Sequence, residues 1–357
     1  MTVFDKVRDY LKESPLAFFK AVPMEALRFD ERAKYMCKFG CKNYGRKYSC
    51  PPESLNLFQK LMERRYRWAI LFATTYKVPD PSRRYQVRAI NLQKEIEIQR
   101  VSREFAAILS DHNVDHYVLS GGPCRRCKDC ALKYRNVCKK PKLKQVSMEA
   151  VGIDCQITMH YAGFDFQMPT NGSINRCSCI LTDIGEFSEI HLNSTKSLQQ
   201  YRPPTYKTAR EMCERLETEY SHLFDSVDLI EASDIVRSVS SCNGCSQWGK
   251  NFACPPYSER IDIGSWNFAV IWKWNQNNRT KARYNIALKA IHAAFFSIGY
   301  YFALSIRDCY CDECDICALL DAENQFCTYR KLLSPSLQSQ YIDPRQFGEG
   351  RFGLELL

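Results

Sequence analysis

Fourteen of the 19 cysteines fall in four sets whose spacing suits metal ligation better than disulfide closure. Cys124, Cys127 and Cys130 are two residues apart in each step, and Cys138 follows. Cys311, Cys314 and Cys317 repeat that spacing, followed by Cys327. Two-residue loops let successive sulfurs face one centre, and a later cysteine supplies the fourth corner, as in bacterial ferredoxins. Zinc is the alternative, although its sites favour separated CxxC pairs or Cys/His mixtures. The other sets hold three cysteines each. Cys37, Cys41 and Cys50 lie in CKFGCKNYGRKYSCPP, and Cys242, Cys245 and Cys254 lie in CNGCSQWGKNFACPP. Proline after a ligand fixes the chain, and Gly45 and Gly249 permit a tight backbone path around a metal. Three thiolates either leave one metal corner open or take a fourth ligand from elsewhere. The expected cofactors are iron–sulfur clusters of the 4Fe–4S type. Cys155, Cys177, Cys179, Cys213 and Cys309 fall outside the sets. Cys177 and Cys179 share a face of a strand and read as core residues, with extra ligation as the alternative.

These sets occur twice in the same order, so the chain reads as a duplication. Further along, Ser147-Met148-Glu149 and Ile153-Asp154 line up with Ser336-Leu337-Gln338 and Ile342-Asp343. The segments between the sets also match in type. Residues 67–76 and 267–274 are apolar runs rich in strand formers. Residues 88–111 and 282–298 carry apolar residues at helical spacing, and 116–120 and 301–306 are short strands. The expected fold class is α+β: two tandem modules, each a small sheet with a strand–helix–strand crossover, parallel pairing and cysteine-rich metal-binding loops. Helices over 3–11 and 209–224 open the modules. The first module spans 1–190, a linker 191–204, and a second, shorter and degenerate copy 205–357. That copy shows no counterpart of the strand over 174–182 that closes the first.

Hydrophobic residues make up 45% of the 357, enough for a core in each half. The first apolar run, 16–19, is too short for a signal segment, and the longest uncharged stretch, 290–306, is interrupted by His292 and Gly299. A cytoplasmic protein with reduced thiols is expected, with no membrane association. The net charge of +10 is uneven: residues 1–190 hold 32 Lys+Arg against 21 Asp+Glu, and the remainder 18 against 19. Much of the excess lies between Arg125 and Lys144. Arg125, Arg126 and Lys128 are candidate docking residues for an acidic redox protein of ferredoxin or flavodoxin type, or for an anionic small substrate. The chain has no phosphate-binding glycine loop, no HExxH and no RNA-binding aromatic signature, so neither a nucleotide nor nucleic acid is expected. His160 and His292 read as structural residues.

Val22-Pro23-Met24-Glu25, Phe29-Asp30-Glu31-Arg32, Cys37, Cys41, Tyr44-Gly45 and Cys50-Pro51-Pro52 resemble the predicted metal-binding proteins grouped as domain of unknown function 2284. The resemblance continues through Gly121-Gly122, the Cys124 set, Ser147-Met148-Glu149-Ala150 and Gly152-Ile153-Asp154, and covers most of residues 1–190. The second half keeps the cysteines but has Leu337-Gln338 and Tyr341 where the family has Met-Glu and Gly. The resemblance implies metal binding. Three function classes stand open: an electron carrier, a reductase or sulfur-transfer enzyme with an open iron, and a zinc-stabilised interaction module.

Overall fold

Thr2 opens the first helix, α1 (Val3–Glu13), by a reciprocal cap. Its hydroxyl accepts from the Asp5 N–H, and the Asp5 carboxylate accepts from the Thr2 N–H. A computed structural model describes residues 2–54, 57, 60–61, 64, 66–80, 83–166, 172–192, 204–237, 246, 250, 254, 258, 260–275, 281–307, 336, 340, 342, 344–347 and 352–357. It divides into two units, residues 1–37 with 43–201 and residues 38–42 with 202–357.

The first unit continues with β1 (Phe18–Pro23), α2 (Arg32–Gly40, of which residues 38–40 fall in the second unit), β2 (Trp68–Lys77), α3 (Arg84–Asp111), β3 (His116–Ser120), β4 (Val146–Ser147), α4 (Cys155–Ala162), β5 (Ser173–Thr182) and β6 (His191–Leu192). One sheet joins the strands in the order β4-β3-β5-β2-β1-β6. The segment expected as a linker therefore begins with a strand. β2 reads as a continuous apolar run because both of its faces are covered. Ala69, Leu71 and Ala73 join one core with Met148, Ile153 and Met159. Ile70 and Phe72 join the other, with Val7 and Leu11 of α1 and Ile98, Val101, Phe105 and Leu109 of α3.

The expected parallel pairing of β2 with β3 is not found. β5 lies between them and is antiparallel to both. The helical crossover carries β3 two strand positions from β2, and the ten residues of β5 fill the gap along the whole of β2. The parallel neighbour of β3 is β4.

In the second unit the Thr205 hydroxyl accepts from the Thr208 N–H and caps α5 (Tyr206–Glu219). The helix expected over 209–224 thus starts earlier and stops short of Phe224, which is buried at the start of β7 (Phe224–Glu231). There follow β8 (Phe268–Trp274), α6 (Lys281–Ser297), β9 (Leu304–Ile306) and β10 (Phe352–Leu356), in the sheet order β7-β8-β10-β9. This order repeats β1-β2-β5-β3, so the closing strand is not missing from the second copy. The strand formed by 352–356 supplies it, pairing with β8 and β9 as β5 pairs with β2 and β3. Register is kept as well: Ile70 faces Ile180 in one copy, and Val270 faces Glu355 in the other. α5 and α6 cover one sheet face with Met212, Leu216, Ile291 and Phe295. No helix among the described residues is long and apolar enough to cross a membrane.

Candidate metal centre

The first cysteine pair is placed by the start of α2. Phe29 forms an antiparallel bridge with Ile153, the Asp30 N–H donates to the Gly152 carbonyl at 2.8 Å, and the Asp154 N–H donates to the Arg28 carbonyl at 2.8 Å. Two separated motifs of the sequence therefore form one joint. Asp30 holds Arg32 by an ion pair of 2.6 Å at the first residue of the helix. Asp154 is the N-cap of α4, accepting from the Ile157 N–H. Burial, with the nearby Asp30 charge adding, pushes its carboxyl up to about 6 against the pull of the capping N–H groups and Arg32. Cys37 is half-buried on α2, and Cys41 lies just beyond the end of the helix.

The chain then makes two short turns, with Arg46 N–H donating to Asn43 and Cys50 N–H to Lys47. Gly45, at φ +67, takes the left-handed conformation that closes the first turn, and its N–H donates to the Pro51 carbonyl at 2.8 Å. Cys50 is buried there, 7% exposed. The Pro51–Pro52 peptide is cis.

The second cysteine run leaves the sheet at the end of β3. Gly121 approaches β5 so closely that a Cβ would sit 2.5 Å from the Cys177 carbonyl oxygen, which leaves room for glycine alone. Cys124, Cys127, Cys130 and Cys138 follow as half-buried thiols on a loop with a 3-10 turn at Ala131–Tyr134.

The two cysteine loops are bonded to each other. The Lys47 ammonium donates to the Cys124 carbonyl at 2.8 Å, and the Cys124 N–H donates to the Ser49 hydroxyl at 3.1 Å. Both backbone polar groups of Cys124 are thus held by the loop that carries Cys50. The Ser49 oxygen also lies 3.8 Å from the Cys50 sulfur. The Tyr48 hydroxyl donates to the Asn136 carbonyl at 2.8 Å. Desolvation first, and then the charges of Glu53, Cys130 and Cys138, raise its pKa, so it stands within electrostatic reach of two more thiols. Lys47, Tyr48 and Ser49 were not singled out in the sequence; their position directly before Cys50 is the one signal they carry.

Among the described residues no three Cys, His, Asp or Glu side chains converge on a point that could hold a metal ion. The donor chemistry does fit one. An all-sulfur set on two mutually bonded loops suits zinc or iron–sulfur ligation and does not suit the hard ions that take oxygen ligands. In the second unit Cys254 is buried. Cys242, Cys245, Cys311, Cys314, Cys317 and Cys327 lie outside the described residues, as does Cys309.

The spare cysteines of the first unit sit in the core. Cys155 is hydrogen-bonded to Cys177, whose sulfur lies 3.9 Å from that of Met148. That hydrogen bond and burial hold the Cys155 thiol well above its ordinary pKa, and burial does the same for Cys179. Cys213 of α5 is pushed up to about 12, chiefly by burial. Protonated thiols of this kind are inert core groups.

The basic residues separate by role. Arg125 is ion-paired to Glu95 at 2.5 Å. Arg126 donates to the Leu143 carbonyl, and burial lowers its pKa. Lys128 is exposed.

Two tandem α+β units that repeat one sheet order define a duplicated scaffold, and in the first of them two cysteine loops are bonded to each other. Comparison with known families matches residues 20–182 and 226–347 to the family described as predicted metal-binding protein (DUF2284), and the chain belongs to that family, present in two copies. No curated protein and no solved structure matches the chain.

Proposed function

We propose that the first unit carries an iron–sulfur cluster of the 4Fe–4S type on sulfur donors from both loops. Its use is redox chemistry, as electron transfer or as reduction or sulfur transfer at an iron left without a thiolate. The observation that supports this most is the grip of Lys47 and Ser49 on the Cys124 peptide, which sets Cys50 beside the CxxCxxC run. Cys37 and Cys50 then share a site with the Cys124 set, and one iron stays open only where three of these six thiols ligate the four irons. When bound, such a cluster supplies a one-electron couple tuned by hydrogen bonds to its sulfurs and by solvent exposure. The Ser49 hydroxyl is placed to make one such bond to Cys50. The face around the loop suits an acidic redox protein: Lys128, Lys139 and Lys140 are exposed beside Tyr134, Val137 and Leu143, which are 57%, 85% and 51% exposed.

Anaerobic purification with iron, acid-labile sulfide and zinc analysis tests the reading. Iron and sulfide are expected, and Cys50→Ala and Cys127→Ala should each remove the same absorption band. Stoichiometric zinc without sulfide would replace the reading with a zinc-stabilised module. Loss of separate, additive shares of metal in the two variants would show that the loops hold separate metals.

A further inference from the structure

The helix α3 packs on the sheet through Ile98, Val101, Phe105 and Leu109, yet at positions 95 and 99 it buries two polar side chains. Glu95 is 8% exposed and Gln99 is 1% exposed. Four residues apart, they share a face of the helix. Both point at the segment that leads from β3 into the cysteine run. The Gln99 amide donates to the Pro123 carbonyl at 2.9 Å and to the Gly121 carbonyl at 3.3 Å. Glu95 accepts from the Arg125 Nε at 2.5 Å, one residue past Cys124, and its other oxygen lies 4.0 Å from Arg176 of β5. Gly122, at φ +90, passes so close that a Cβ would meet the Glu95 carboxyl carbon at 2.9 Å. The residues on either side of Cys124 are therefore held from the helix, while Lys47 and Ser49 hold Cys124 itself.

We infer that Glu95 is a positioning residue for the cysteine run: through Arg125 it fixes the path of the chain at Cys124 and so the aim of the first sulfur of the set. This rests on the reading of that set as metal ligands, but the geometry it asserts exists before any metal binds. Three facts favour a positioning role over a general structural one. The carboxylate is nearly buried, so its bond to Arg125 is weakly screened. Its hydrogen-bonded partner is on the loop and its backbone is on the scaffold, while its contact with Arg176 of β5 stands at 4.0 Å. Arg125 is 34% exposed and can rehydrate when the pair is broken, so the fold has little reason to follow the loop.

The test uses the full chain. In metal-free, reduced protein, Glu95→Gln should raise the rate at which iodoacetamide alkylates Cys124 by about tenfold, read by peptide mass spectrometry. In competition with a chromophoric chelator, zinc affinity should fall about 10- to 100-fold, the usual effect of removing an outer support of a metal ligand. Arg125→Gln should reproduce both changes, and the double variant should add nothing further, since the two residues act as one unit. Melting followed by circular dichroism guards against misfolding; the Arg125 variant, altered at a half-exposed side chain, keeps the test open if Glu95→Gln melts early. Alkylation and affinity within twofold of wild type in both variants, or fully additive effects, would overturn the inference. If the wild type binds no metal while Glu95→Gln still exposes Cys124, the positioning role stands and the metal reading falls.

Discussion

Replacing Asp154 with Asn should change how the first unit responds to pH. Asp154 is 5% exposed, and its carboxyl is pushed up to about 6, above an ordinary value of 3.8. A carboxyl raised in the folded state favours folding in its protonated form. That stability is complete below about pH 4 and is lost as pH rises through about 6. The gap between the two values, at ~1.4 kcal/mol per pH unit, sets ~3 kcal/mol as the ceiling of the effect at pH 7. Asn is isosteric and keeps an oxygen for the Ile157 N–H, so the cap of α4 survives while the buried charge is removed. Urea unfolding, followed by amide exchange in β2 so that the first unit is read by itself, measures the difference between variant and wild type. The variant should gain on the wild type between pH 4 and pH 7, by up to ~3 kcal/mol. A difference that stays flat within ~0.5 kcal/mol across that range would refute the account of Asp154 as a carboxyl strained by burial. The joint it tests is the one that sets where α2, and with it Cys37, begins.

The second unit should depend on an internal ion pair of the same pH sense, in a higher pH range. Glu355 is fully buried and is hydrogen-bonded by Ser305 and by His292 Nδ1, at 2.8 Å from the latter. Burial pulls the His292 pKa down, but the charge and hydrogen bond of Glu355 outweigh it, and the net shift is upward. The pair therefore contributes fully below about pH 6.5 and is lost as pH rises through the raised value. His292→Ala should cost about 3 kcal/mol at pH 6, the low end for breaking a buried pair because the imidazole is partly exposed, and less at pH 9; equal losses at both values, by urea unfolding, would argue against an ionic pair. On the basic face, reversing Lys128, Lys139 and Lys140 to Glu should slow electron exchange with an acidic ferredoxin at low salt and matter little at ~1 M, where screening lengths fall to about 3 Å. Rates indifferent to both charge and salt would leave the lysines as plain surface.

The elements that could be read from the sequence are those whose burial follows one period. The helix over 88–111 and the strands over 67–76, 116–120 and 174–182 appear within a few residues of their expected bounds, because their apolar residues repeat at 3.6 or run on as a doubly covered strand. β1, β7 and β10 escaped notice. β1 breaks its apolar run with Lys20, β7 with Asp225 and Asp228, and β10 with Glu355, whose charge is met by His292 far off in the chain. Pairing order was illegible for a related reason. Strand–helix–strand is the same string whether the strands touch or leave a gap, and the residues that fill the gap come about 50 positions later in both copies. For the candidate site, cysteine spacing was visible, while the contacts of Lys47, Ser49 and Glu95 with the Cys124 segment span 77, 75 and 30 residues and leave no local mark.

The two copies keep one sheet order and one register, yet the stations from which their cysteine runs depart differ in chemistry. In the first copy β3 ends at Ser120, four residues before Cys124, and the serine hydroxyl donates to the Gly122 carbonyl. Ser120 pairs with Ser147; in the second copy the matching parallel bridge joins Arg307 to Ser336, and Arg307 stands four residues before Cys311. Arg307 is 2% exposed, donates to Asn285 and lies over the Tyr284 ring at 5.9 Å. The same displacement recurs inside the sheet, where Val118 beside Ile180 becomes Ser305 beside Glu355. An ion pair gains a core little stability over apolar contacts, so these exchanges do not improve the second copy as a scaffold. They place a buried guanidinium four residues before one cysteine run and a neutral hydroxyl four residues before the other. Fixed charge near a thiol shifts both its pKa and the potential of any cluster bound to it. The CxxCxxC run shared by the two halves therefore does not make their surroundings equal, and a metal count that assumes two identical centres would start from the wrong premise.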